Sequence, residues 1–271
     1  MKPVDIKILV DPRRPYPSMS IPKGPARDAI NIYMTTFHRE EFTHEAVGLI
    51  HERTNPGTFR LHIFDNNSGP DMRAFLINLL NYGFITSLHL DSRNTGCLYN
   101  KGIFHMMTES DQKYYVVTDN DIYPPKLSPD WLSQMIKIMD AHPDLAFLTP
   151  QCPPQGLSEP DMKEVKDDIV YCKAVGNILK LVRRKAFPLD SFMPLLGVFG
   201  DDGLVCDLVR ARNYESAFCR NIFAFHAGQC ENWGYDHKEL ALDPRKEGYG
   251  EPFKYELANE ETYEPIPKHR I

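Results

Sequence analysis

Asp119 and Asp121 stand one residue apart, with Asn120 between them, at the end of the apolar run Tyr114-Tyr115-Val116-Val117-Thr118. That run reads as a buried strand, and a strand keeps the residues at its C-terminal end in a fixed place. Two carboxylates so placed offer oxygen ligands to a hard divalent cation, and such a cation can in turn hold a diphosphate. The plainer alternative is a solvated acidic turn, and the strongly apolar strand before it speaks against that.

Three other groupings have types and spacing suited to chemistry. Asp201 and Asp202 precede a helical stretch, where a carboxylate can act as a base or simply cap the helix and favour its dipole. Asp65-Asn66-Asn67-Ser68 comes after a second apolar run, where an Asx turn is the structural alternative for Asp65. His226 closes Ala224-Phe225-His226, and a neutral imidazole suits manganese better than magnesium or calcium. A core or surface histidine is its structural alternative.

These residues need elements to hold them. Residues 29–36 read as a first strand, followed by a helix with Phe42, Ala46, Val47, Leu49 and Ile50 at helical spacing and closed by Asn55-Pro56-Gly57. Residues 59–64 read as a second strand. Pro70 then opens a helix with Phe75, Leu76, Leu79 and Leu80 on its buried face. Residues 84–90 are the third strand, the loop 91–96 leads into a helix over 98–107, and the acid-tipped strand is the fourth. A helix from Pro129 to Asp140, a short strand at 145–148, a strand at 174–182, a helix from Asp201 to about Asn213, and short strands at Phe218 and 222–225 complete the reading. The alternation predicts an α/β domain with a mainly parallel central sheet flanked by helices. In such sheets ligands bind beyond the carboxyl ends of the strands, where the polar loops 35–39, 65–69, 91–96 and 119–121 all fall.

Length and composition bound the rest. The 271 residues are enough for one large domain, and the balance of 42% hydrophobic to 25% charged residues is that of a globular protein. A net charge of −6 argues against nucleic-acid binding through bulk positive charge. Cysteines 97, 152, 172, 206, 219 and 230 form neither a Cys-x-x-Cys pair nor a zinc-finger spacing, and read as free thiols in a reducing compartment. No run approaches the ~18 apolar residues of a membrane span, and the N-terminus is no signal peptide, so a cytoplasmic location is expected. Residues 1–28 read as a proline-rich arm and 229–271 as a tail packed on the domain or partly disordered. The stretch 150–168, rich in Pro, Gly and charge, reads as a mobile surface loop, and a loop over 150–173 could close as a lid over a bound ligand.

In this order the pieces resemble the family 2 inverting glycosyltransferases of the GT-A fold, over about residues 29–228. The resemblance rests on Thr35-Thr36-Phe37-His38-Arg39, on Asp65-Asn66-Asn67-Ser68, on Thr118-Asp119-Asn120-Asp121 as the family's Asp-x-Asp, and on Gly200-Asp201-Asp202 before a helix ending in Arg212-Asn213-Tyr214. Asp201 stands where the family commonly has Glu.

The resemblance implies an enzyme that moves a hexose from a UDP-sugar to a hydroxyl acceptor with inversion, using Mn2+ or Mg2+. Asp121 would ligate the metal directly, Asp119 would face the ribose and the metal's waters, and His226 would be a further ligand. Asp202 would be the base that accepts the acceptor's proton, with Asp201 orienting the acceptor or serving as base itself. Asp65 would accept a hydrogen bond from the uracil N3–H. Thr35 and Phe37 would line the base pocket, and Arg39, Asn66, Arg93, Asn94, Gly96 and Asn120 would complete the donor site, with Ser68 a weaker candidate. The loop at 91–96 carries one glycine where glycine-rich forms are common in the family. Arg183-Arg184-Lys185 would meet the diphosphate or, more simply, form a solvated face. Asn177, Trp233 and Tyr235 are candidates for the acceptor site, with Trp233 alternatively an anchor for the tail.

Two readings compete with this one. A sugar-nucleotide nucleotidyltransferase shares a related sheet and an acid-bound metal, but needs a Gly-rich, basic loop where this chain has Thr35-Thr36-Phe37-His38. A non-catalytic nucleotide-sugar binding module would not need all the acids. The acceptor, whether a glycan, lipid, protein or modified nucleobase, is not readable from the sequence.

Overall fold

The computed structural model describes residues 28–90, 112–152, 162–187 and 202–227. The arm, the tail, the 91–96 loop, the helix expected over 98–107, and the loop tip at 153–161 lie outside the described residues.

The first elements obey the expected alternation: β1 (Ile30–Thr36), α1 (Glu40–Arg53), β2 (Phe59–Asp65), α2 (Pro70–Asn81), β3 (Ser87–Leu90) and β4 (Tyr114–Asp119). Glu40 and Glu41 lie in the first turn of α1 and Arg53 in its last, the placement its dipole favours. Pro70 occupies the start of α2, where its missing N–H costs nothing. β3 is shorter than the expected 84–90, because Gly83 takes a positive φ of 75° and the chain turns there before it pairs.

The chain continues through β5 (Ile122–Tyr123), α3 (Trp131–Ala141), β6 (Leu145–Gln151), β7 (Met162–Lys166), β8 (Ile169–Cys172), β9 (Lys180–Arg183), α4 (Asp202–Arg210), β10 (Glu215–Phe223) and β11 (Phe225–His226). The Asp130 carboxylate caps α3, accepting from the backbone N–H groups of Leu132 at 3.1 Å and Ser133 at 3.3 Å.

Among the described residues nine strands form one sheet, in the order β3-β2-β1-β4-β9-β6-β10-β8-β7, and β5 pairs with β11 in a second, small sheet. Within the large sheet only β9 and β8 run against the others, so the sheet is mostly parallel. A mostly parallel central sheet in an α/β domain is what the sequence predicts.

Both faces of the sheet are covered. Ile32, Met34, Leu61, Ile63 and Val116 pack with the apolar faces of α1, α2 and α3. Tyr33, Phe64, Tyr115, Val117, Phe147 and Val182 form the opposite layer, with Val205, Cys206 and Val209 of α4 against it. Burial on both faces explains why β4 is apolar without alternation.

Four further expectations change. The stretch expected as a mobile loop through residue 168 contains β7 and runs into β8; together they form a hairpin on the sheet edge. Its charges sit on the edge strand, where they discourage further pairing. The strand expected from 174 is reduced to β9, with 174–179 irregular. The strands expected at Phe218 and 222–225 are one long strand, β10, with a pairing irregularity between Phe218 and Phe223, followed by the two-residue β11. The last helix ends at Arg210, and Asn213 turns the chain out of it at a φ of 62°. Cys152, Cys172, Cys206 and Cys219 are buried free thiols, as expected, and burial pushes the Cys219 thiol well up. Among the described residues no helix is long and apolar enough to cross a membrane.

Candidate active site

Strand register assembles the site. Thr36 lies beside Asp65 across β1 and β2, and Thr35 lies beside Asp119 across β1 and β4. Three strand ends therefore bring Thr35, Thr36, Asp65 and Asp119 to one rim, the carboxyl end of the parallel strands. The small sheet adds a fourth contributor. β11 runs antiparallel to β5 with His226 opposite Ile122, and the Ala227 N–H donates to the Asp121 carbonyl at 2.9 Å. That pairing carries His226 from far along the chain to within 3.3 Å of Asp121, measured from Nε2 to Oδ2.

The acids are not in equivalent settings. Asp119 is pushed up to about 7, first by burial, then by the negative fields of Asp121 and Asp202; His226 and Lys180 offset part of this. Asp121 is buried, and Arg39 Nη1 forms an ion pair with its Oδ2. Its other oxygen, Oδ1, is buried with no hydrogen-bond partner, and so is Nδ1 of His226. Buried polar atoms are nearly always satisfied, so the two orphans mark a place suited to a ligand.

Among the described residues, no three His, Cys, Asp or Glu side chains already form a metal cluster. The donor set still fits a divalent cation. Asp119 and Asp121 offer oxygen, His226 offers nitrogen, and Asp121 and His226 have donor atoms with no other partner. A cation at Asp121 would compete with the Arg39 guanidinium.

Other expected residues have structural duties. The Asp65 carboxylate is fully buried. It accepts from Thr36 Oγ1 at 3.1 Å and from the Ser68 N–H at 3.0 Å, the Asx-type turn that competed with a base-reading role; Arg73 lies 3.5 Å away. A carboxylate offers about four acceptor positions, so this does not exhaust it. Ser68 Oγ accepts from the His38 N–H at 2.7 Å, and the Asn66 N–H donates to the Thr36 carbonyl at 2.8 Å. The Asn120 amide faces α1 and donates to Thr43 Oγ1 at 2.8 Å and to the His38 carbonyl at 3.2 Å. It fixes the β1–α1 loop, the segment that carries Phe37 and Arg39. Phe37 is exposed at 42%, with its ring 4.3 Å from that of His38, and Thr35 Oγ1 is buried without a partner.

Asp202 opens α4. Its Oδ1 lies 3.2 Å from Lys180 Nζ, and a Cβ on Gly176 would meet its Oδ2 at 3.7 Å. The Asn177 carbonyl accepts from the Asp119 N–H at 3.2 Å, so the irregular 174–179 segment runs between the two acids. Lys180 was not singled out by sequence; its signal is one lysine inside Ile178-Leu179-Lys180-Leu181-Val182.

The basic cluster at 183–185 is neither at the diphosphate nor a solvated face throughout. β9 runs antiparallel to β4, so Arg183 pairs with Tyr114, at the opposite end from the acids. There the buried Arg183 donates to the carbonyls of Leu145 at 2.7 Å and His142 at 3.0 Å, locking β6 to α3. Arg184 donates to the Gln112 carbonyl at 3.0 Å, and only Lys185 is exposed. Asp201, Arg93, Asn94, Gly96, Trp233 and Tyr235 lie outside the described residues.

No protein-family model and no curated protein matches the chain. Solved structures do match its fold. A mannosyltransferase from Pyrobaculum calidifontis in complex with GDP-Man and Mn2+ is 14% identical over 76% of this chain and 59% of its own, with a TM-score of 0.56. Residues 1–349 of TarS from S. aureus, in complex with UDP, are 13% identical over 73% of this chain and 60% of that one, at 0.54. GalNAc-T7 with UDP, GalNAc and Mn2+ is 11% identical over 87% of this chain and 55% of its own, at 0.55. The chain thus spans less than two thirds of the length of these neighbours. At these identities the likeness is one of fold, and that fold is shared with glycosyltransferases crystallised with nucleotide or nucleotide-sugar and, in two of the three, with Mn2+.

Proposed function

We propose that the chain is a metal-dependent glycosyltransferase that moves a hexose from a UDP-sugar to a hydroxyl acceptor by single displacement with inversion. The observation that carries this reading is the convergence of Asp119, Asp121, His226 and Asp202 on one rim, with Asp121 Oδ1 and His226 Nδ1 buried and unpartnered.

Asp119, Asp121 and His226 would hold Mn2+ or Mg2+, which supplies positive charge where the leaving diphosphate becomes more negative. Asp202, whose charge is felt at Asp119, is the group that accepts the acceptor's proton as its oxygen attacks the anomeric carbon. Asp201, its neighbour in sequence, is the second candidate for that role. Thr35, Phe37 and Asp65 form the base pocket, and Asp65 is the reason for preferring uracil. The crystallised neighbours support a nucleotide-sugar donor; they bind both uridine and guanosine forms.

Calorimetric titration of UDP with and without Mn2+, on wild type and Asp121→Ala, tests this. Binding that needs the metal and disappears in the variant is expected. UDP binding indifferent to both would remove Asp121 and His226 from the mechanism. An absence of UDP binding alongside metal-dependent GDP binding would overturn the role given to Asp65.

A further inference from the structure

Lys180 is the odd residue of the central sheet. It begins β9, the strand inserted between β4 and β6, and pairs in register with Val117, two residues before Asp119. Its side chain is fully buried and lies on the same face of the sheet as Val182 and Phe147, beneath α4. The ammonium sits 5.2 Å from the centre of the Phe147 ring and 3.5 Å from the Val175 carbonyl; its ion pair is with Asp202 at 3.2 Å. The carboxylate end of that pair is exposed at 36% and stands at the site; the ammonium end is not exposed at all.

This asymmetry indicates which partner serves the other. A lysine buried against Phe147, on the face of the sheet it shares with Val182, is costly, and replacing a buried ion pair by apolar side chains is often neutral or stabilising. Packing alone would favour Leu or Met here. Asp202, by contrast, opens a helix where water, the helix dipole and neighbouring N–H groups could satisfy it without a lysine. Asp202 must also stay put against the negative field of Asp119 and Asp121, and later against that of a diphosphate. A fixed positive charge behind it does this.

We propose that Lys180 is a positioning residue, whose buried ammonium holds the Asp202 carboxylate at the mouth of the site beside Asp119. This rests on the transferase reading of Asp202.

The test uses Lys180→Met, Asp202→Ala and the double variant, in two measurements. In thermal melts, Asp202→Ala strands an ammonium in the core, whereas Lys180→Met leaves a carboxylate that water can reach. The alanine variant is therefore expected to melt lower than the methionine variant, and the double variant to recover what Asp202→Ala lost. In the second measurement, hydrolysis of UDP-glucose, UDP-GlcNAc and GDP-mannose is monitored with Mn2+ and water as acceptor. Water's oxygen bonds to the anomeric carbon, the sugar–phosphate bond breaks, the nucleoside diphosphate leaves and the proton passes to Asp202. Lys180→Met is expected to lower kcat about 100-fold, the scale of a group misplaced by about 1 Å. KM for the donor and affinity for UDP should be unchanged, and the residual rate of Asp202→Ala should fall no further in the double variant. Additive melting shifts, a wild-type kcat in Lys180→Met, or a further loss in the double variant would each overturn the proposal. If wild type turns over no donor, the transferase reading fails, and the melting cycle alone decides whether Lys180 holds Asp202.

Discussion

Replacing Asp119 by asparagine removes a charge and changes little else in shape. In the metal-free protein the Asp119 carboxyl is raised from 3.8 to about 7, by burial first and then by Asp121 and Asp202. A raised carboxyl favours the protonated native state. Its contribution to stability is therefore fully present below pH 3.8 and is lost as pH climbs through about 7. A rise of roughly three units at ~1.4 kcal/mol each gives a loss of at most ~4 kcal/mol across that window. In a domain of this size, with about 2–4 °C per kcal/mol, the corresponding fall in Tm is about 8–16 °C.

His62 acts in the opposite sense. Burial, aided by Arg60, lowers it from 6.5 to about 4, so its contribution is present above pH 6.5 and fades as pH falls toward 4. The raw pH profile of wild type sums these with other groups, among them His51, which burial also lowers, and the difference between wild type and Asp119→Asn isolates Asp119. Melts in EDTA at half-unit steps from about pH 4 to about pH 8 should show the variant gaining on wild type steadily as pH rises. Added Mn2+ should reduce the gap, because a bound cation favours the carboxylate. Parallel profiles for the two proteins would refute the claim that Asp119 carries an unfavourable, partly buried charge.

Arg39 makes an ion pair with Asp121, so Arg39→Met should tighten binding of Mn2+ in the absence of nucleotide. About tenfold is a modest fraction of the Coulomb energy of adjacent charges at an effective dielectric near 20. Paramagnetic resonance titration of free Mn2+ reads this directly, and unchanged or weaker binding would show that the guanidinium does not compete for the site. Asn120→Ala removes the amide that ties the acid loop to Thr43 and His38, and should cost roughly 1–3 kcal/mol in chemical denaturation. A wild-type midpoint would mean that the loop is held by something else.

The first half of the fold was legible because its signals are local. Residues 30–65 and 70–81 switch cleanly between strand and helix patterns, and the apolar run 114–118 could only be a strand buried on both faces. The acids at its tip were legible for the same reason. What sequence could not supply was direction and register. Asn120 lies between Asp119 and Asp121, yet its amide is turned to α1, because the chain leaves β4 at Asp119 and turns through residues 120–121 before β5. Arg183 read as part of a solvated basic face or a diphosphate contact, and the antiparallel course of β9 instead buries it at the end of the sheet away from the acids. Lys180 passed as one charge in an apolar strand, since nothing local reveals that Asp202 lies above it. The edge hairpin β7–β8 was hidden by its charges, which resemble those of a loop when the neighbouring strand is unknown. His226 was recoverable only as a resemblance, because its approach to Asp121 depends on a two-residue strand pairing.

The insertion of β9 has a consequence for how the chain can be divided. Residues 30–119 contain a run of strands and helices that looks self-sufficient, ending at the acid pair. In the folded sheet, however, β4 lies in the interior, with β1 on one side and β9 on the other. A fragment ending before residue 180 would expose the whole N–H and C=O row of an apolar strand, the kind of open edge that recruits other chains. Such a fragment would tend to stick to copies of itself while holding half the site's acids. The later segment is thus a protective cover for the first half, and expression of that half alone should give aggregates where the full chain stays dispersed.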